Sequence, residues 1–112
     1  MSQKIKEVLM KLGMSPKLKG YRYIVTSVEL LTKWGRTTKS MTLNLYPEVG
    51  KIHGTSATSV ERAIRYAIED TWLKGSYSDQ ADLFGSFISA DKGKPTNSDL
   101  LYALVVFSEE EK

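Results

Sequence analysis

Apolar residues recur along this chain at steps of three and four, between clusters of glycine, proline and polar residues. That period belongs to helices packed on one side. Ile5, Val8, Leu9 and Leu12 form one stripe, with Lys4, Lys6, Glu7 and Lys11 around it, and Gly13 closes the segment. After Ser15-Pro16, the residues Leu18, Tyr21, Ile24, Val25, Val28 and Leu31 repeat at helical spacing, which predicts a second helix over about 18–33. The stretch 34–40 is a polar loop. Proline has no N–H to give a helix interior, so Pro47 predicts a short turn and then a new helix starting near itself. A fourth helix is expected over 58–73, closed by Gly75, then a short one capped by Ser78 and a last one over about 97–107. Strand signals are few. The expected fold class is all-α, about six helices with a central helix-turn-helix, in one domain over 1–112 with an acidic tail at 108–112.

The stretch 54–72 carries the most information. Gly50 and Gly54 stand four residues apart: the first gives room where a second helix crosses, the second tolerates positive φ in the turn. Thr58 is placed to cap the following helix, with Glu61 completing a Thr-x-x-Glu box. Val60, Ala63, Ile64, Ala67 and Ile68 then form an inward face. Arg62 and Arg65 lie three apart on the opposite side, with Ser59 and Glu69 beside them. Arginine pairs bidentately with guanine, so two arginines on the first turns of such a helix suit the major groove of DNA. The plain alternative is a solvated face whose Glu and Arg side chains form spaced ion pairs.

Composition narrows the class. With 112 residues, 41% hydrophobic and 26% charged, the chain has the make-up of one globular domain. It has no cysteine, which excludes disulfides and cysteine-ligated zinc. The net charge of +3 is uneven: residues 1–75 carry thirteen Lys and Arg against six Asp and Glu, whereas residues 76–112 carry three against seven. A basic body with an acidic end fits a polyanion-binding face, although a mixed-sign solvated surface explains any one lysine equally well. No apolar run approaches the ~20 residues that span a bilayer, and the N-terminus is too polar for a secretory signal. A cytoplasmic, nucleoid-associated location is expected. His53 is the only histidine and has no partner ligands at useful spacing, so neither metal nor cofactor is expected. No glycine-rich phosphate loop follows a strand, no nucleophile has a visible base, and Glu69-Asp70 diverge on a helix. Neither an enzyme nor a small-molecule substrate is expected.

The block Val60-Glu-Arg-Ala-Ile-Arg-Tyr-Ala-Ile-Glu69, preceded by Leu45-Tyr-Pro-Glu-Val and followed by Lys94-Pro-Thr-Asn-Ser, resembles the DNA-binding effector domain of the sporulation master regulator (stage zero sporulation protein A) family. Lys19-Gly-Tyr and Leu83-Phe-Gly agree, so the likeness runs from about Ile5 to Leu104. It implies six helices, the fourth of which reads the major groove of a short T-G-T-C-G-A-A-like box. Carried over by position, Glu61, Arg62 and Arg65 face bases. The chain also departs from the family's habit: Ser59 stands where arginine is usual and Tyr66 where histidine is, and the last helix lacks its usual basic residues. Fewer cations mean fewer phosphate contacts. Met1 stands only a few residues ahead of the effector-like part, so regulation by a phosphorylated receiver in cis is not expected.

Lysines near helix starts commonly hold phosphates. Lys19, Lys94, the backbone near Thr96 and Asn97, and Ser59 are the expected DNA-backbone contacts. The last helix is apolar nearly all round, which means burial in the monomer or a partner; Val105, Val106 and Phe107 are the candidate dimer interface. The leading expectation is a sequence-specific transcriptional regulator whose partner is double-stranded DNA, as a homodimer or paired with a related regulator. The rival is a protein-interaction module, an antagonist that pairs with a full-length relative without reading DNA.

Overall fold

The computed structural model describes residues 2–35, 40–75, 77–85 and 93–110. Among them the regular elements are all helical: α1 (Ser2–Leu12), α2 (Lys19–Trp34), α3 (Tyr46–His53), α4 (Ala57–Lys74), α5 (Tyr77–Phe84) and α6 (Asn97–Glu110). A wide turn of π geometry, Met41–Leu45, leads directly into α3. The expected all-α class and helix number are thus observed. Helix α6 runs three residues further than its apolar pattern indicated, carrying the acidic residues as far as Glu110 along the same helix.

The π turn has a local cause. Pro47 cannot donate to the carbonyl four residues back, and its ring crowds that carbonyl. The preceding turn is widened, the Tyr46 N–H reaching Met41 O, five residues back. Ser40 opens the turn, its hydroxyl accepting from the amides of Thr42 and Leu43, while Asn44 Oδ1 accepts from Ser40 N at 2.7 Å.

Helix α2 is the hub, touching α1, α3, α4 and α6, and its largest interface is with α4. Ile5, Leu9 and Leu12 of α1, Ile24 and Val28 of α2, and Ile64 and Ile68 of α4 are essentially excluded from solvent. Each such side chain contributes roughly 1.5–3 kcal/mol of hydrophobic stabilisation. Leu100, Leu101, Ala103 and Leu104 of α6 are fully buried as well, so the apolar character of that helix is largely spent within the monomer. At its far end Phe84 stacks edge-on between Trp72 and Phe107, with ring centroids 5.7 and 5.5 Å away.

Gly20 sets how close α4 comes. A Cβ there would run into the Ala63 carbonyl oxygen and lie 2.7 Å from Ala67 Cβ. The α2 backbone therefore rests directly on the small residues of the α4 inner face.

Candidate nucleic-acid interface

Helices α3 and α4 form the helix-turn-helix. Gly54 caps α3 at φ 72°, ψ 37°, the left-handed conformation that glycine takes without steric cost, and its N–H returns to Gly50 O. Gly50 is needed for a different reason. The chain folds back over it so tightly that a Cβ would lie 2.5 Å from Thr55 O and 3.2 Å from the Ser56 carbonyl carbon. Gly54 does what was expected of it, whereas Gly50 makes room for the turn backbone at Thr55 and Ser56 instead of the crossing helix.

The cap of α4 differs from expectation. The helix begins at Ala57 with Ser56 as N-cap, whose hydroxyl accepts from Ser59 N at 3.1 Å. Thr58 is consequently one residue inside the helix, and Glu61 takes no part in a capping box. Three hydroxyl residues within four positions, Ser56, Thr58 and Ser59, all suit the role. Gly50 decides among them, because the chain can only turn where it folds over that glycine. The reciprocal box occurs instead at α6: Asp99 N donates to Thr96 Oγ1 at 3.1 Å, and Thr96 N donates to Asp99 Oδ2 at 3.0 Å. Similarly, α5 starts at Tyr77, one residue before the expected cap Ser78.

Val60, Ile64, Ala67, Ile68 and Thr71 form the buried face of α4. Thr58, Ser59, Arg62, Arg65, Tyr66, Glu69 and Leu73 form its exposed stripe. Both arginines point to solvent, as the sequence led one to expect, but they are not equivalent. Arg62 makes no ion pair among the described residues. Arg65 Nη1 is held by Glu61 Oε1 at 2.9 Å, one turn back, with the arginine side chain 56% exposed and the glutamate 30%.

Two clefts flank the stripe. On the Arg62 side, Lys17, Lys19, Gly20, Ala63 and Tyr66 join it around a hollow of about 460 Å³. The start of α2 thus sets Lys17 and Lys19 beside Arg62, concentrating positive charge at one edge. On the Arg65 side, a cleft of about 510 Å³ separates α4 from the π turn and the start of α6, and Lys94, Thr96 and Asn97 line it with Glu61 and Arg65. Every residue expected to touch DNA bases or backbone therefore gathers on or beside the outer face of α4.

Several of these groups are engaged within the protein. Lys94 Nζ pairs with Glu69 Oε2 at 2.9 Å, both half exposed. The Thr96 N–H is given to Asp99. Asn97 Nδ2 donates to Tyr46 Oη at 3.2 Å and to the Glu61 carbonyl at 3.1 Å, tying α6 to both helices of the motif. Ser59 Oγ accepts from Ser56 Oγ at 2.9 Å. Burial pushes the Tyr46 phenol above its ordinary 10.0; the Asn97 hydrogen bond opposes that shift and the negative charge of Glu61 adds to it. The bracket through Tyr46 joins residues 51 apart, and no local pattern announces it.

His53 Nε2 lies 2.7 Å from Thr26 Oγ1, and its ring stands edge-on to Tyr23. Among the described residues no group of three or more His, Asp or Glu side chains converges on a metal site, and no helix is long and apolar enough to cross a membrane. Of the three dimer candidates, Val106 is 38% exposed, Val105 is partly covered, and Phe107 packs on Phe84.

Compared with known families, the chain matches over residues 5–106 the one described as sporulation initiation factor Spo0A C terminal. That family is the DNA-binding effector domain of a sporulation regulator, and not a family of enzymes. The match covers all of the helix-turn-helix, both flanking clefts and most of α6, so the chain belongs to the Spo0A C-terminal family.

Proposed function

We propose that this protein is a sequence-specific transcriptional regulator that binds double-stranded DNA in the cytoplasm, at the nucleoid, with α4 in the major groove. The observation that carries this reading is the outer face of α4, where Arg62 and Arg65 project from a helix seated on α2 and α3. Arg62 and Arg65 read base edges. Glu61 orients Arg65 through their ion pair, a part that fits its largely covered carboxylate better than direct base contact. Lys19 holds a phosphate on one side of the groove. Lys94, Ser59 and the backbone around Thr96 and Asn97 hold phosphates on the other. There is no catalytic step: occupancy of promoter sites at equilibrium is the mechanism.

A second reading, a protein-interaction module that pairs with a copy of itself or a related regulator, draws on α6. Tyr102 and Val106, one turn apart there, are 53% and 38% exposed. Fluorescence anisotropy with a labelled T-G-T-C-G-A-A box and a scrambled duplex, alongside sedimentation of the free protein, separates the two. Tighter binding to the box supports DNA reading. Association of the protein with no preference for the box, or no DNA binding at all, supports the interaction module.

A further inference from the structure

The cleft on the Arg65 side has a composition that DNA contact does not explain. Its floor is apolar, made by Met41, Ile68, buried Pro95 and the largely buried Tyr46. At about 510 Å³ it lies within the size range of small-molecule sites. A smaller hollow of about 210 Å³ adjoins it, sharing Thr42, Tyr46 and Glu61. The four charged side chains around the larger cleft already form two pairs, Glu61 with Arg65 and Glu69 with Lys94.

One polar atom is left over. Glu61 Oε2 is out of contact with solvent and accepts no hydrogen bond, although Oε1 of the same carboxylate is engaged by Arg65. A buried acceptor without a donor costs about 1–3 kcal/mol, more when it is charged. The chemistry it calls for is an N–H donor, and an ammonium is the strongest partner a carboxylate takes. Glu61 and Tyr46 line this cleft together.

We propose that the cleft between α4, the π turn and the start of α6 is a binding site for a small primary amine with a flat apolar body, its ammonium on Glu61 Oε2 and its apolar part on Met41, Ile68 and Pro95. Glu61, whose side chain is 30% exposed, turns slightly to present the oxygen. The inference concerns the free protein and stands or falls independently of DNA binding.

The test is a titration of the isotope-labelled full chain, without DNA, with phenethylamine, followed by NMR. Two compounds of similar shape serve as controls: 2-phenylethanol, neutral, and 3-phenylpropionate, anionic. Saturable shifts at the Met41 and Ile68 methyls and the Thr42 amide are expected with the amine. Glu61→Gln, which keeps the shape and removes the charge, should weaken binding roughly tenfold or more, the loss of one charge-assisted hydrogen bond. Thr42→Trp supplies a second check. Thr42 is exposed and lines both hollows, so the indole obstructs the site without entering the core, and binding should disappear. The proposal is overturned if no saturable shift occurs at these residues, if the Glu61→Gln or Thr42→Trp protein binds as well as the parent, or if 3-phenylpropionate binds more tightly than the amine. That last result would assign recognition to the cations and amides of the rim.

Discussion

Replacing Arg62 or Arg65 by alanine is the most direct perturbation of the recognition face, and the structure sets different expectations for the two. Arg62 has no competing ion pair among the described residues, so its whole guanidinium is available to a base. Arg65 must share itself with Glu61. Their 2.9 Å contact is an i,i+4 pair with the arginine 56% exposed, and such solvent-screened pairs are worth about 0.3–0.5 kcal/mol. A bidentate arginine–guanine contact discriminates by ~1–3 kcal/mol. A base contact of that size would outweigh the ion pair, which would then aim Arg65 without holding it back. Either alanine substitution should weaken binding to the cognate box by roughly 5- to 150-fold while lowering affinity for random DNA much less. Glu61→Gln should change box affinity by no more than about threefold, because only the i,i+4 ion pair is lost. Anisotropy titrations on box and scrambled duplexes at fixed salt measure all three. If the arginine variants lose equally on both duplexes, these side chains contribute only charge. If Glu61→Gln loses as much as Arg65→Ala, the glutamate itself contacts a base, and the positioning role assigned to it is wrong.

Lys94→Ala should weaken binding by a similar factor on every sequence and reduce the salt slope by about one contact; a change in sequence preference would contradict its phosphate role. Gly50→Ala should destabilise the fold by ~1–3 kcal/mol in urea unfolding, since the added methyl meets Thr55 O at 2.5 Å and backbone must move. Ser56→Ala should cost about 1 kcal/mol and Thr58→Ala only a few tenths; the reverse order would restore Thr58 as the cap. Tyr46 gives the protein an alkaline sensitivity. Its phenol holds its proton to higher pH in the folded state than in the unfolded chain, so that contribution is complete below pH 10.0 and is lost as pH rises through the folded value. Stability of the parent should fall above that pH more steeply than that of Tyr46→Phe, and parallel curves would refute the assignment.

Much of this arrangement was legible in sequence because it is local. The period of Val60, Ile64 and Ile68 defines the buried side of α4, and that alone sends Arg62 and Arg65 outward. The positive φ of Gly54 and the crowding at Gly50 follow from the needs of a tight turn. What escaped was either degenerate or distant. Ser56, Thr58 and Ser59 are chemically interchangeable as caps, and packing of the turn over Gly50 chose the first. The pattern Thr96-Asn-Ser-Asp99 after Pro95 carries the same kind of capping signal as Thr58-x-x-Glu61, and the box forms at the former. The Tyr46–Asn97–Glu61 bracket needs three elements already in place, so no local pattern could disclose it. The role of Gly20 was hidden similarly, since it answers to Ala63 and Ala67 on another helix.

That contact at Gly20 bears on how members of such a lineage diverge. Because α4 is anchored through its inner small residues against bare backbone, the anchor does not depend on what its outer side chains are. Exchanges at exposed positions such as Ser59 and Tyr66 leave that seat in place. On the proposed reading, the side chains that would meet DNA can therefore be exchanged without disturbing how the helix is held.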